Sequence, residues 1–163
     1  MILVKYDQAK DLIQEGDVLL FRGSGVIGFL IKRYTGGLHS HVALAHKDGD
    51  ILDENGEMKL IEKNYDESVA KAMTEDIIKW TGQPYGWNNI WKMFLRFIPG
   101  TRLFKQNTND DEVAKAKVCS TAVTVALRRN YMDPVPYLAD DRVSPADLAR
   151  SPLIHYLFTI DGT

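Results

Sequence analysis

The chain has 163 residues, 45% of them hydrophobic and 26% charged, and a formal net charge of −2. That length suits one domain with a buried core, and the balance excludes a disordered chain or one with a broad electrostatic reason to bind nucleic acid. A single cysteine excludes an intrachain disulfide framework and speaks against a thiolate zinc cluster.

The N-terminus, Met1 to Asp7, has no basic segment followed by a long apolar core, so no signal peptide is visible. The longest uncharged apolar stretch, Gly25 to Ile31, is too short to span a bilayer. The expectation is a soluble, cytoplasmic protein with no integral membrane segment. Asp7 to Glu15 has helical spacing, with Ala9, Leu12 and Ile13 in register and Gly16 as its stop. Gly16 to Gly23 reads as a short buried strand between glycines. Ser24 is placed to cap a helix over Val26 to Tyr34, ended by Thr35-Gly36-Gly37.

His41 to His46 reads as a strand, Asp48-Gly49 as a two-residue turn, and Ile51 to Asn55 as the returning strand. A third extended run, Met58 to Ile61, follows Gly56. Asp66 to Thr81 is helical, with Val69, Met73, Ile77 and Trp80 on one face, and Trp87 to Ile98 is a second amphipathic helix. Thr101 to Asp111 is polar and reads as a mobile surface loop. A helix from Cys119 to Asn130, a short helix from Pro145 to Ala149 and a last apolar run from Ile154 to Ile160 complete the chain. The sum is a single α+β domain over residues 1–163: a small, mainly antiparallel sheet or partial barrel packed against helices.

Two residues carry the strongest chemical signal. Cys119 opens a helix, where unpaired N–H groups and partial positive charge favour a thiolate and can hold an oxyanion. His41 opens an apolar strand, a rigid mount for a general base. With Asp48-Gly49 as the turn, Glu54 falls opposite Ala43 and diagonal to His41 on the same face, which nominates it to orient the ring. Asp53 is the second choice, because a one-residue slip exchanges the two. A structural reading stays open for both members of the pair: free cysteine behaves as a small hydrophobe, and a strand histidine can simply be hydrogen-bonded. His39 and His41 also form a His-x-His pair that could hold a metal, but no acidic set nearby completes it. His46 faces the other way. Trp80, Tyr85, Trp87 and Trp91 cluster around Gly82-Gln83-Pro84-Tyr85-Gly86-Trp87, where Tyr85 and Trp87 are the better groove candidates.

The order of these segments resembles a known family. Gly16-Asp17-Val18-Leu19-Leu20-Phe21 and Ser40-His41-Val42-Ala43-Leu44 are similar to the Gly-Asp and Ser-His-Val strands of NlpC/P60 papain-like hydrolases. Val118-Cys119-Ser120-Thr121-Ala122-Val123 resembles their nucleophile helix, and Ser144 to Pro152 their closing segment. The helix ending at Thr35 and the Gly-x-Pro-Tyr segment at Gly82 to Tyr85 agree. The cysteine follows the strands here, which resembles the circularly permuted branch of YiiX/YaeF-like amidases, with lecithin retinol acyltransferase as a distant relative. Three departures touch this pattern: Val118 for a tyrosine, Thr121 for a glutamate and Gly86 for an aspartate.

The resemblance implies a permuted papain-like fold, with Cys119 as nucleophile, His41 as base and Glu54 as third residue. It implies a cysteine amidase or peptidase needing no cofactor and no metal. Its substrates would be peptides, peptidoglycan fragments or N-acyl and lipid amides, with Ser40, Tyr85 and Trp87 as substrate contacts. Two other classes remain open. One is a papain-like binding module, or an acyltransferase, that recognises a peptide, glycan or lipid. The other is a metal-dependent hydrolase built on His39 and His41.

Overall fold

The computed structural model describes residues 2–46, 58–63, 67–80 and 119–161. In chain order these form β1 (Leu3–Lys5), α1 (Tyr6–Ala9), β2 (Val18–Phe21), α2 (Val26–Thr35), β3 (His41–Leu44), β4 (Met58–Lys63) and α3 (Glu67–Trp80). After these come α4 (Cys119–Arg129), a 3-10 turn (Asp140–Arg142), α5 (Pro145–Leu148) and β5 (Ile154–Asp161). The expected returning strand, the helix from Trp87 to Ile98 and the loop from Thr101 to Asp111 lie outside the described residues.

The strands form one sheet in the order β1-β5-β4-β2-β3. Every pairing is antiparallel except β1 with β5, which is parallel. The molecule is therefore α+β with a mainly antiparallel sheet, as its sequence pattern suggests. β2 lies between two neighbours and all four of its residues are buried. Strand alternation sends Val18 and Leu20 to one face, where they join Val42, Met73, Val123, Leu127 and Leu148 in the larger core. Leu19 and Phe21 point the other way, into a smaller core with Ala9, Ala45, Phe158 and Ile160.

Several element boundaries differ from expectation. The first helix ends at Ala9 and does not run to Glu15. Leu12 is exposed, and the Asp17 carboxylate accepts the Gln14 N–H at 2.6 Å, which draws the chain out of helical register. Gly25, not Ser24, is the N-cap of α2, and no side chain caps it. β1 was not foreseen. It exists because β5 offers a free edge to a segment more than 150 residues away, with Leu3 opposite Thr159. Gly16, at φ 81°, lies beyond the end of α1 and does not stop it; its N–H donates to the Ala45 carbonyl while the Ala45 N–H donates to the Asp17 carbonyl. The Gly-Asp pair thereby ties the entrance of β2 to the exit of β3.

α3 buries Ala70, Met73 and Thr74, with Val69, Ile77 and Trp80 packed on the larger core, in agreement with the stripe read from sequence. α4 is buried nearly all round, because β3, α3, the 3-10 turn and α5 all pack against it. Two of its interior hydroxyls are satisfied: Ser120 Oγ donates to the Val143 carbonyl at 2.6 Å and Thr124 Oγ1 to the Ser120 carbonyl at 2.8 Å, whereas the buried Thr121 hydroxyl has no partner among the described residues. Among the described residues no helix is long and apolar enough to cross a membrane.

Candidate functional site

Cys119 is the first residue of α4, outside any disulfide and half-buried, and it packs against the larger core. α4 lies along β3. Contacts at the two ends of the helix fix its direction. At its start, Ser120 bonds Val143, and Ala146, three residues further on, closes against Gly37 in the loop that enters β3. At its finish, Arg129 lies over the Trp80 ring at 5.1 Å and 3.7 Å from Asp76 in α3. Thr74 of the same helix donates to Glu15 at 2.7 Å, and that carboxylate faces His46 at 3.3 Å, beyond the far end of β3. α4 thus runs beside β3 with Cys119 toward the His41 end.

The direction of the imidazole is a separate matter. His41 pairs with Phe21, and Val42 with Leu20. Directly opposed residues share a face, so His41 stands with Phe21 while Val42 and Leu20 face α4. The His41 and Phe21 rings are 5.5 Å apart and tilted by 49°. His41 is exposed and begins the outermost strand among the described residues.

The other histidines are differently employed. His39 is only 5% exposed. His46 is committed to Glu15 at the opposite end of the strand. Among the described residues no group of three or more His, Cys, Asp and Glu is arranged to hold a metal ion. Ser40, expected beside the substrate, is buried, and its hydroxyl accepts the Gly23 N–H at 2.8 Å. Its described bond joins the end of β2 to the start of β3, which holds the His41 corner in place. A Cβ on Gly23 would fall 2.9 Å from that oxygen and one on Gly28 would fall 3.2 Å from it, so this junction is closely packed. Glu54, Asp53, Tyr85 and Trp87 lie outside the described residues.

The polar residues that support α4 from the far side were not anticipated. Asp140 and Asp141 are each 4% exposed in the 3-10 turn. Arg128, near the end of α4, meets Asp140 at 2.5 Å and Asp133 at 3.0 Å, and donates to the Leu138 carbonyl at 2.9 Å. In the sequence Asp140-Asp141-Arg142 resembles a solvated run of charge. The available signal was its bracketing by Ala139 and Val143, both buried. No protein-family model matches the chain, and no curated protein matches it.

Proposed function

We propose that the chain is a cysteine-dependent amidase or peptidase of the permuted papain-like kind, with Cys119 as nucleophile and His41 as general base. The observation that carries this is the run of α4 beside β3, with the sole thiol at the helix start and toward the strand end that bears His41. The motif order that resembles permuted NlpC/P60 hydrolases supports it independently.

In this reaction the imidazole takes the thiol proton and the sulfur attacks an amide or ester carbonyl. The N–H groups of the first turn of α4 hold the negative oxygen. The imidazolium returns its proton to the departing amine or alcohol, and a thioester to Cys119 remains. Water then releases the acid, or another acceptor takes the acyl group as a new amide or ester, and either way the Cys119 thiol is regenerated. For the first proton transfer the His41 ring must turn away from Phe21 and round the strand edge toward the sulfur. Glu54 is the proposed third residue, and the substrate class is a peptide, a peptidoglycan fragment or an N-acyl or lipid amide.

One observation favours a second reading. His41 shares its face with Phe21 rather than with α4, the arrangement expected of a papain-like module that binds such ligands without turning them over. Incubation with peptidoglycan fragments and with N-acyl amides, followed by mass spectrometry, separates the two. A mass increment equal to the acyl group on wild type, absent from Cys119→Ala, is expected. Ligand binding with no adduct and no product across those classes supports the binding module instead.

A further inference from the structure

We propose that α2 is a membrane-docking helix, and that its outward apolar face sits among the headgroups of an anionic bilayer. At 100° per residue Gly28, Ile31 and Thr35 share one side of α2, and Ile31 and Thr35 are buried. A Cβ on Gly28 would come within 3.0 Å of the Gly23 carbonyl, so this side rests directly on the protein. The opposite side holds Val26 (78% exposed), Ile27, Phe29 (60% exposed), Leu30 and Tyr34, with Leu38 exposed just beyond. A surface helix of a globular protein normally turns its apolar stripe inward and its charges outward. α2 does the reverse over its first two turns.

The charge around this face selects the partner. The protein is formally −2, yet no Asp or Glu occurs from Val18 through Lys47, a run that includes Arg22, Lys32, Arg33 and Lys47. Lys32 and Arg33 lie in the last turn of α2, Arg33 exposed and Lys32 with its ammonium donating to the Gly23 carbonyl at 2.8 Å. Arg150 joins them by donating to the Gly36 carbonyl at 2.9 Å. α5, which packs on α2, contributes one carboxylate, and Asp147 is buried and held by the Ser144 N–H at 2.9 Å. Apolar turns followed by a basic turn suit shallow insertion: the first part enters the acyl boundary, and the cations and the Tyr34 hydroxyl remain at the phosphates. A ten-residue helix is about 15 Å long and lies in the interface without spanning it. This inference goes beyond the catalytic proposal and does not require it.

The test is co-sedimentation of the full chain with vesicles of phosphatidylcholine alone or mixed with phosphatidylserine. Wild type is expected to pellet with the mixed vesicles and to be released by salt. Arg33→Gln should weaken partition about fivefold, the usual effect of one basic side chain near an anionic surface. Phe29→Ser should weaken it about tenfold or more by removing inserted apolar area. Both sites are exposed, so unchanged melting temperatures show that the variants are folded. Three results overturn the proposal: no binding to either vesicle, unchanged binding by Phe29→Ser, or a wild-type dimer by light scattering that Phe29→Ser converts to monomer.

Discussion

Alanine at Gly37 should strike α5 directly, and the loss can be worked out from the packing. A methyl group built on Gly37 falls 2.3 Å from the Ala146 Cβ and 3.3 Å from its Cα. Non-bonded carbons rest about 3.5–4.0 Å apart. Gly37 is not in the left-handed region, unlike its neighbour Gly36 at φ 63°, so the backbone accepts alanine and the cost is steric. Ala146 is 1% exposed, and the Ser144–Asp147 capping box fixes the turn that carries it. Overpacking a rigid site costs about 1–3 kcal/mol, and an overlap of this size belongs near 3. Reduced freedom of the unfolded chain returns about 0.4–1 kcal/mol, leaving a net loss near 2. Ala146→Gly alone should cost about 1–2 kcal/mol, from one buried methyl and a helical glycine. In the double variant the methyl on residue 37 fills the vacated space, so its stability should be close to that of Ala146→Gly. Equilibrium urea unfolding of the four proteins gives a coupling of about 2 kcal/mol or more on this reasoning. Losses that add to within about 0.5 kcal/mol would refute it.

Other outcomes follow from single contacts. Ser40→Ala removes the acceptor of the Gly23 N–H and should cost about 1–2 kcal/mol in urea unfolding, whereas an unchanged midpoint would show that this junction is not what holds the His41 corner. Arg128→Met separates the guanidinium from Asp140, whose side chain is 5% exposed, and should cost about 3 kcal/mol. A loss below about 1 kcal/mol contradicts a structural role for the pair. Tyr131 sits at φ 61°, fully exposed, where the Met132 N–H donates to Leu127 and the Tyr131 N–H to Arg128 to close α4. Glycine is suited to that position, so Tyr131→Gly should raise the melting temperature and gain about 0.5–1 kcal/mol. A lower melting temperature counts against it.

What could be read from the sequence was local. The stripe on α3, the end of α2 at Gly36 and the start of β3 are set by short-range spacing, and they lie where the pattern puts them. The face taken by His41 was not legible, because Val42, Ala43, Leu44 and Ala45 are apolar at both parities. Only the placement of α4 distinguishes Val42 from its neighbour, and that placement depends on contacts with α3, α5 and the 3-10 turn. β1 was hidden for a similar reason: three residues carry little pattern, and their partner is at the other end of the chain. The buried Asp140 became intelligible only beside Arg128. The outward apolar side of α2 was equally silent, since a helical period does not say which side meets the protein.

The pairing of Cys119 with His41 is tested most directly by the rate of iodoacetamide alkylation at Cys119 in mildly acidic buffer, wild type against His41→Ala. Fast modification of wild type that falls to the rate of a free thiol in the variant is the result expected of an imidazole that draws the proton from sulfur. Equal, slow rates in both proteins would contradict the pairing and leave Cys119 a packing residue at the head of α4.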